Sequence, residues 1–142
     1  MTGEGVRGVW RLLWVWGPVL GLMAAIFVVS DQPAPPELPG RIPDVVAHAL
    51  VYAVLGALML RATAGARWLR VTLGNMALAV VLTAAYGLTD EFHQSFVPGR
   101  TAEARDLAAD AVGGAAGAGL VWGWGIVLAV RRGRHDRRQP EC

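Results

Sequence analysis

Four runs of nonpolar residues divide the chain, and the polar connectors between them are short. Leu12–Val29 holds 18 residues without a charge, and VVAHALVYAVLGALML follows Asp44 and ends at Arg61. Val71–Leu88 is interrupted mildly by Asn75 and Thr83, and Ala111–Val130 completes the series. At about 1.5 Å per helical residue, runs of this length cover most or all of a hydrocarbon core of roughly 30 Å. A helix of a soluble bundle keeps a polar face along its whole length, whereas these runs are apolar nearly all round. The pattern therefore predicts an all-α, polytopic membrane protein with four transmembrane helices in a small bundle.

The flanks of the runs agree with that reading. Trp10, Trp14 and Trp16 crowd the start of the first run, as an interfacial aromatic belt would. A cleaved signal peptide is the rival. The run is long for a signal h-region, and the following SDQPAPPELP has prolines where a small-residue cleavage site is needed. Ser30 to Pro43 carries Pro33, Pro35, Pro36, Pro39 and Pro43, which deny it a helix. Asp44 then falls where an N-cap or first-turn carboxylate is favoured. Val97-Pro98-Gly99 is a turn signal between the third and fourth helices. The pairs Gly113/Gly117 and Gly119/Gly123, each four apart, are expected to permit close helix contact.

Charge placement adds an orientation. The hydrophobic fraction is 54%, the charged fraction 17%, and all 13 basic residues are arginine. Ten arginines (Arg7, Arg11, Arg61, Arg67, Arg70, Arg131, Arg132, Arg134, Arg137 and Arg138) lie at the two ends and on the middle connector. The other two connectors hold only Arg41, Arg100 and Arg105. By the positive-inside rule both termini are expected in the cytoplasm, with the Pro-rich and DEFHQSFVPGR connectors outside. This implies a multi-pass protein of the cytoplasmic (plasma) membrane, with residues 1–130 as one membrane domain and residues 131–142 as a basic, frayed cytoplasmic tail. A pI near 9.3 is compatible with nucleic-acid binding, but arginines that flank spans point to the lipid bilayer as partner instead. The single cysteine, Cys142, has no intrachain partner and says nothing about redox compartment.

The chemistry-bearing residues collect on the outer side. Asp44, His48 and Tyr52 fall at i, i+4 and i+8 and share a helical face. Asp90 and Gln94 share another if the third helix continues through them, with Glu91 and His93 adjacent. Asp106 and Asp110 open the fourth run, and Gly113, Gly114 and Gly117 extend their face. Ionisable residues at that depth need partners, so an antiparallel bundle is expected to bring them together. Three roles compete. Arg100 can pair with a carboxylate and anchor the outer loop. The cluster can instead bind or transform a headgroup, with Asp90 or Glu91 as base, His48 as acid or orienting group, and Arg100 as an anion clamp. It can also hold a divalent cation, magnesium or calcium rather than zinc, since no HExxH or closely spaced His/Cys set occurs. No other cofactor is expected. No hydroxyl or thiol nucleophile stands out, because Ser95 and Thr101 have no evident activating partner. The pair Asp106-x-x-x-Asp110 also occurs in magnesium enzymes that transfer phosphoalcohols from CDP-lipids, but their preceding aspartate-glycine is missing here and their site faces the cytoplasm.

Taken together and in this order, these motifs resemble the VanZ-like family of small bacterial membrane proteins. The resemblance runs from about Ser30 to Gly117: Ser30-Asp31-Gln32, Asp44-x-x-x-His48-x-x-x-Tyr52, Asp90-Glu91-x-His93-Gln94, Pro98-Gly99-Arg100, and Asp106-x-x-x-Asp110-x-x-Gly113. The family often has lysine where this chain has Val45, and asparagine where it has Asp110. Both departures make the cluster more acidic and favour cation binding over phosphate binding. The resemblance implies a cell-envelope protein of a family named for a member associated with resistance to the glycopeptide teicoplanin. On this basis the expected function is recognition or modification of an envelope lipid or cell-wall precursor. His48, Asp90 and Glu91 are the candidate catalytic residues, and Asp44, Tyr52, His93, Gln94, Arg100, Asp106 and Asp110 the candidate binding residues. The alternative is a non-catalytic membrane module whose charges fix helix packing and whose glycine face binds a membrane partner.

Overall fold

The computed structural model describes residues 3–33, 43–67 and 71–136. These form four helices: α1 Gly3–Ser30, α2 Asp44–Thr63, α3 Leu73–Gln94 and α4 Ala104–Asp136. No strand occurs among the described residues. All four helices are long and apolar enough to cross a membrane. Pro35, Pro36, Pro39, Glu37, Arg41, Arg70, Arg137, Arg138 and Cys142 lie outside the described residues.

Each helix outruns its apolar run. The third continues through Asp90 and Gln94, and the fourth begins at Ala104 and continues through Asp136, so the first residues of the basic tail are helical. A helix satisfies its own backbone wherever it goes, and the polar residues at its ends reach the interfaces. Pro18 sits inside α1 without ending it. Asn75, an interruption in the hydropathy pattern, closes a capping box at the start of α3. Its backbone N–H donates to Thr72 Oγ1 at 3.1 Å, and its side-chain Oδ1 accepts the Thr72 N–H at 3.1 Å. Its Nδ2 also donates to the Thr63 carbonyl at 3.1 Å, tying the end of α2 to the start of α3.

The core is built around α2. Tyr52, Leu55 and Leu60 of α2 are fully buried, together with Val19 of α1, Ala79 and Thr83 of α3, and Ala118 of α4. Around it the helices turn large apolar side chains outward, including Trp14, Val81, Phe92 and Leu120. In a bilayer that surface faces acyl chains, so its exposure carries no hydrophobic penalty.

Glycine sets the closest approach. A Cβ on Gly113 would overlap the Ala49 carbonyl oxygen, one on Gly117 that of Ala53, and one on Gly56 that of Gly114. The α2 and α4 backbones are therefore in direct contact over more than one turn. The second predicted pair behaves differently. Among the described residues, nothing lies within 4 Å of a Cβ placed on Gly119 or Gly123, so neither marks a close helix approach there. The backbone-to-backbone approaches of α4 to α2 at Gly113, Gly114 and Gly117 lie in the half of α4 that carries the aspartates.

Candidate functional site

The polar residues meet at the end of the bundle where α1 and α3 finish and α2 and α4 begin. His48 lies four residues into α2, and Asp110 six residues, or about 9 Å, into α4. His48 Nδ1 stands 2.9 Å from Asp110 Oδ1, and Asp110 has no exposed surface. One turn deeper, the Tyr52 hydroxyl donates to Asp90 Oδ2 at 3.3 Å. Gln94 Nε2 donates to the same oxygen at 3.2 Å and approaches Ser30 Oγ at 3.4 Å, which links α2, α3 and the last residue of α1. The rings of His48 and Tyr52 lie nearly parallel, 6.3 Å apart, as residues one turn apart on a common face would.

Glu91 is held from the connector. Its Oε2 accepts the backbone N–H of Glu103 at 3.0 Å, just ahead of α4. Sequence reading did not foresee this bond, because the donor belongs to a main chain whose path depends on the turn at Gly99, where φ is +84°. Thr83 was also missed as a site neighbour. It is fully buried one to two turns below Asp90, and Cβ placement shows its methyl 2.6 Å from the Cβ position of Gly114.

Two candidate residues lie apart from this network. His93 turns toward α1, where its Nε2 is 3.2 Å from Asp31 Oδ1 and its ring stacks on Phe27 at 4.5 Å. Arg100 does anchor the outer loop, but without a carboxylate. Its Nε donates to the Gln32 carbonyl and its Nη2 to the Val29 carbonyl, each at 3.2 Å. Carbonyls at a helix C-terminus lack intrahelical donors and carry partial negative charge, so a guanidinium fork satisfies both needs. Arg105 pairs with Glu103 and comes no closer than 4.0 Å to Asp106. Among the described residues, no arginine hydrogen-bonds Asp90, Glu91, Asp106 or Asp110.

Asp44, in the first turn of α2, is exposed, while Asp106, in the first turn of α4, is buried. Asp90, Glu91, Asp106 and Asp110 each keep one buried oxygen without a hydrogen-bond partner. Four orphaned carboxylate oxygens in one small region is costly for a polypeptide, since each buried polar group left unpaired costs about 1–3 kcal/mol and more when charged.

A cavity of about 320 Å³ opens beside this network, between α1 and α2. Leu22, Ala25, Ile26 and Val29 of α1 and Ala47 and Val51 of α2 give it an aliphatic lining, to which Ser30, Asp44, His48, Tyr52, Asp90, Gln94 and Arg100 add polar groups. Of the aliphatic residues, Val29 and Val51 also reach the surface, at 42% and 39% exposed.

The arrangement of helices and polar residues can be set against known families. The family model for VanZ/LLP1 matches residues 22–128, about three quarters of the chain. The chain belongs to the VanZ/LLP1 family. The match begins in α1 at Leu22, itself part of the cavity lining, and ends within α4, so it covers every residue of the polar network. No curated protein and no solved structure matches the chain. It is thus a VanZ-like, multi-pass membrane protein whose four helices associate with a lipid bilayer.

Proposed function

We propose that this VanZ-like protein recognises an envelope amphiphile, either a membrane lipid or a lipid-linked cell-wall precursor, in the cavity between α1 and α2. The lining of that cavity carries the reading. Its walls combine aliphatic side chains, of which Val29 and Val51 also reach the surface, with the polar groups of Asp44, His48, Tyr52, Asp90, Gln94 and Arg100. An acyl or isoprenoid chain enters such a cavity from the bilayer at no loss of hydrophobic contact, while the hydrogen-bonding groups of its lining select the headgroup. A volume of about 320 Å³ accommodates a headgroup with the first carbons of its chain, at the small end of ligand sites that run from roughly 300 to 1,000 Å³.

The arginine distribution supports an outward-facing headgroup end, on the surface of a bacterial plasma membrane where cell-wall precursors are used. By this reading a teicoplanin phenotype arises only where the bound amphiphile is the precursor that the glycopeptide targets. Modification of the headgroup would need Asp90, Glu91 or His48 to act on it. Asp90 and His48 line the cavity, whereas Glu91 sits behind them against Glu103.

Native mass spectrometry of protein released from detergent, after incubation with envelope lipid extract, tests the proposal. An amphiphile should be retained by the wild type and by Ala115→Trp, which alters an exposed position, and lost from Ala47→Trp, which fills the cavity. Equal retention by Ala47→Trp would overturn the proposal.

A further inference from the structure

Glu91, Asp106 and Asp110 lie behind the cavity and apart from its lining, and no arginine among the described residues hydrogen-bonds them. One nitrogen of His48 and one carboxylate oxygen each of Glu91 and Asp110 lie within 4.8 Å of one another. A second triad, Asp44, His48 and Asp106, meets the same criterion and shares the imidazole. Glu91 and Asp110 are 5% and 0% exposed. Each holds one oxygen in place by a contact with the protein, to the Glu103 N–H and to His48, and leaves the other, Glu91 Oε1 and Asp110 Oδ2, buried without a partner. Asp106 Oδ1 is likewise buried and unpartnered.

We propose that His48, Glu91 and Asp110, with Asp106 beside them, bind one divalent cation of the magnesium or manganese class. Two observations carry the assignment. The orphaned oxygens supply ligands whose other oxygens are already fixed, which is how supporting contacts orient metal ligands. Among the described residues the nearby arginines are also committed elsewhere: Arg100 to the carbonyls of Val29 and Gln32, and Arg105 to Glu103. Carboxylates with a single imidazole suit a hard, octahedral ion, and waters or ligand oxygens complete its shell. Gly87 contributes space, since a Cβ there would sit 3.0 Å from Asp110 Oδ2.

The cation site does not depend on an amphiphile entering the cavity. Where one does, the ion would offer its open positions to an anionic headgroup that the acidic cluster alone would repel.

The test uses full-length protein in detergent, stripped with chelator and titrated with Mn²⁺ by electron paramagnetic resonance. Saturable binding of one Mn²⁺ per chain, displaced by Mg²⁺, is expected. Glu91→Gln and Asp110→Asn should each weaken it at least about tenfold. His93→Ala, whose ring packs against Phe27 on the other face of α3, should bind as the wild type does. Asp110→Asn keeps the side-chain shape and guards against a folding failure in Glu91→Gln. Absence of saturable binding up to about 1 mM, the weak end for oxygen-rich sites, would overturn the proposal. So would equal affinity of the wild type and both carboxylate variants.

Discussion

His48 and Asp110 meet at 2.9 Å directly beside a backbone-to-backbone helix approach, where Gly113 lies against the Ala49 carbonyl. Asp110 has a short side chain, and it reaches an imidazole on another helix only because the two backbones touch. Packing and polar site are therefore one construction. A residue that separates α2 from α4 also pulls the imidazole away from the carboxylate.

Gly117→Ala consequently should destabilise the protein by about 1–3 kcal/mol, the usual cost of overpacking a contact that cannot relax through a flexible side chain. The methyl would overlap the Ala53 carbonyl oxygen, a backbone atom. Gly123→Ala meets nothing within 4 Å and should stay within about 0.5 kcal/mol of the wild type. Thermal unfolding in detergent checks both, and equal stability of the two variants would show that the α2–α4 contact is looser than described.

The His48–Asp110 contact should appear as energetic coupling. In a double-mutant cycle with His48→Ala and Asp110→Ala, a directly bonded pair is expected to couple by about 0.5–3 kcal/mol. His93 and Asp110, whose partners lie on different faces of α3, serve as the control pair and should add within about 0.5 kcal/mol. Urea or thermal unfolding of the single and double variants provides the four values. Additivity for His48 and Asp110 would mean that the contact contributes nothing to the fold.

Much of this was legible in the sequence. Apolar runs identify helices in a bilayer because helices satisfy their own backbones there, and i, i+4 spacing placed Asp44, His48 and Tyr52 on one face whatever the tertiary arrangement. The convergence of α2, α3 and α4 at one end follows from short connectors and antiparallel neighbours. Partner choice was harder to read. Pairing with a carboxylate was one of the roles open to Arg100, but its guanidinium donates to the carbonyls of Val29 and Gln32, around the turn after Ser30. His93 is next to Gln94 and two residues from Glu91, yet one residue rotates a helical position by about 100°, which was enough to send it to Asp31 and Phe27. The two glycine pairs of α4 have the same spacing, and only the path of α2 distinguishes the one that is used. Thr83 and the Glu103 N–H carried no local signal, since a buried hydroxyl and a backbone donor become notable only once their neighbours are known.

Thr83 provides a prediction of opposite sign. Its Oγ1 is buried without a hydrogen-bond partner, while its methyl packs against Gly114. Valine keeps the shape and removes the polar atom, so Thr83→Val should raise stability, by about 1 kcal/mol, where a small-to-small core change would ordinarily lower it. A lower melting temperature for Thr83→Val would show that the hydroxyl has a partner after all.

Arg100 should act on the outer loop and leave the buried network in place. Arg100→Ala removes two hydrogen bonds from a charged donor to the end of α1; both lie near the surface, so the expected cost is about 1 kcal/mol. Lysine keeps the charge but cannot reach two carbonyls as a fork, and Arg100→Lys should recover only part of the loss. Hydrogen exchange read by mass spectrometry localises the effect: faster exchange is expected in the last turn of α1, with the amides of α2 around His48 unchanged. Faster exchange spread evenly over α2 and α4 would place Arg100 in the core network instead.

The orientation of the whole arrangement can be decided from two positions at opposite ends of the bundle. Thr101 is exposed on the α3–α4 connector, next to the carboxylates, and Gly74 is exposed at the start of α3, at the end that carries Arg61 and Arg67. Ten of the 13 arginines lie on the side of Gly74 by the connector count, so Gly74 is expected in the cytoplasm and Thr101 outside. In a Cys142→Ser background, a membrane-impermeant thiol reagent added to intact cells should label Thr101→Cys and leave Gly74→Cys unmodified until the membrane is opened. This readout is preferable to a reporter fused after Val130, because α4 runs on through Asp136 and such a fusion would remove arginines on which the orientation depends. Labelling of Gly74→Cys alone in intact cells would turn the bundle over. The headgroup end of the cavity would then face the cytoplasm, and a precursor used at the outer surface could no longer be its ligand, whereas a lipid of the inner leaflet still could.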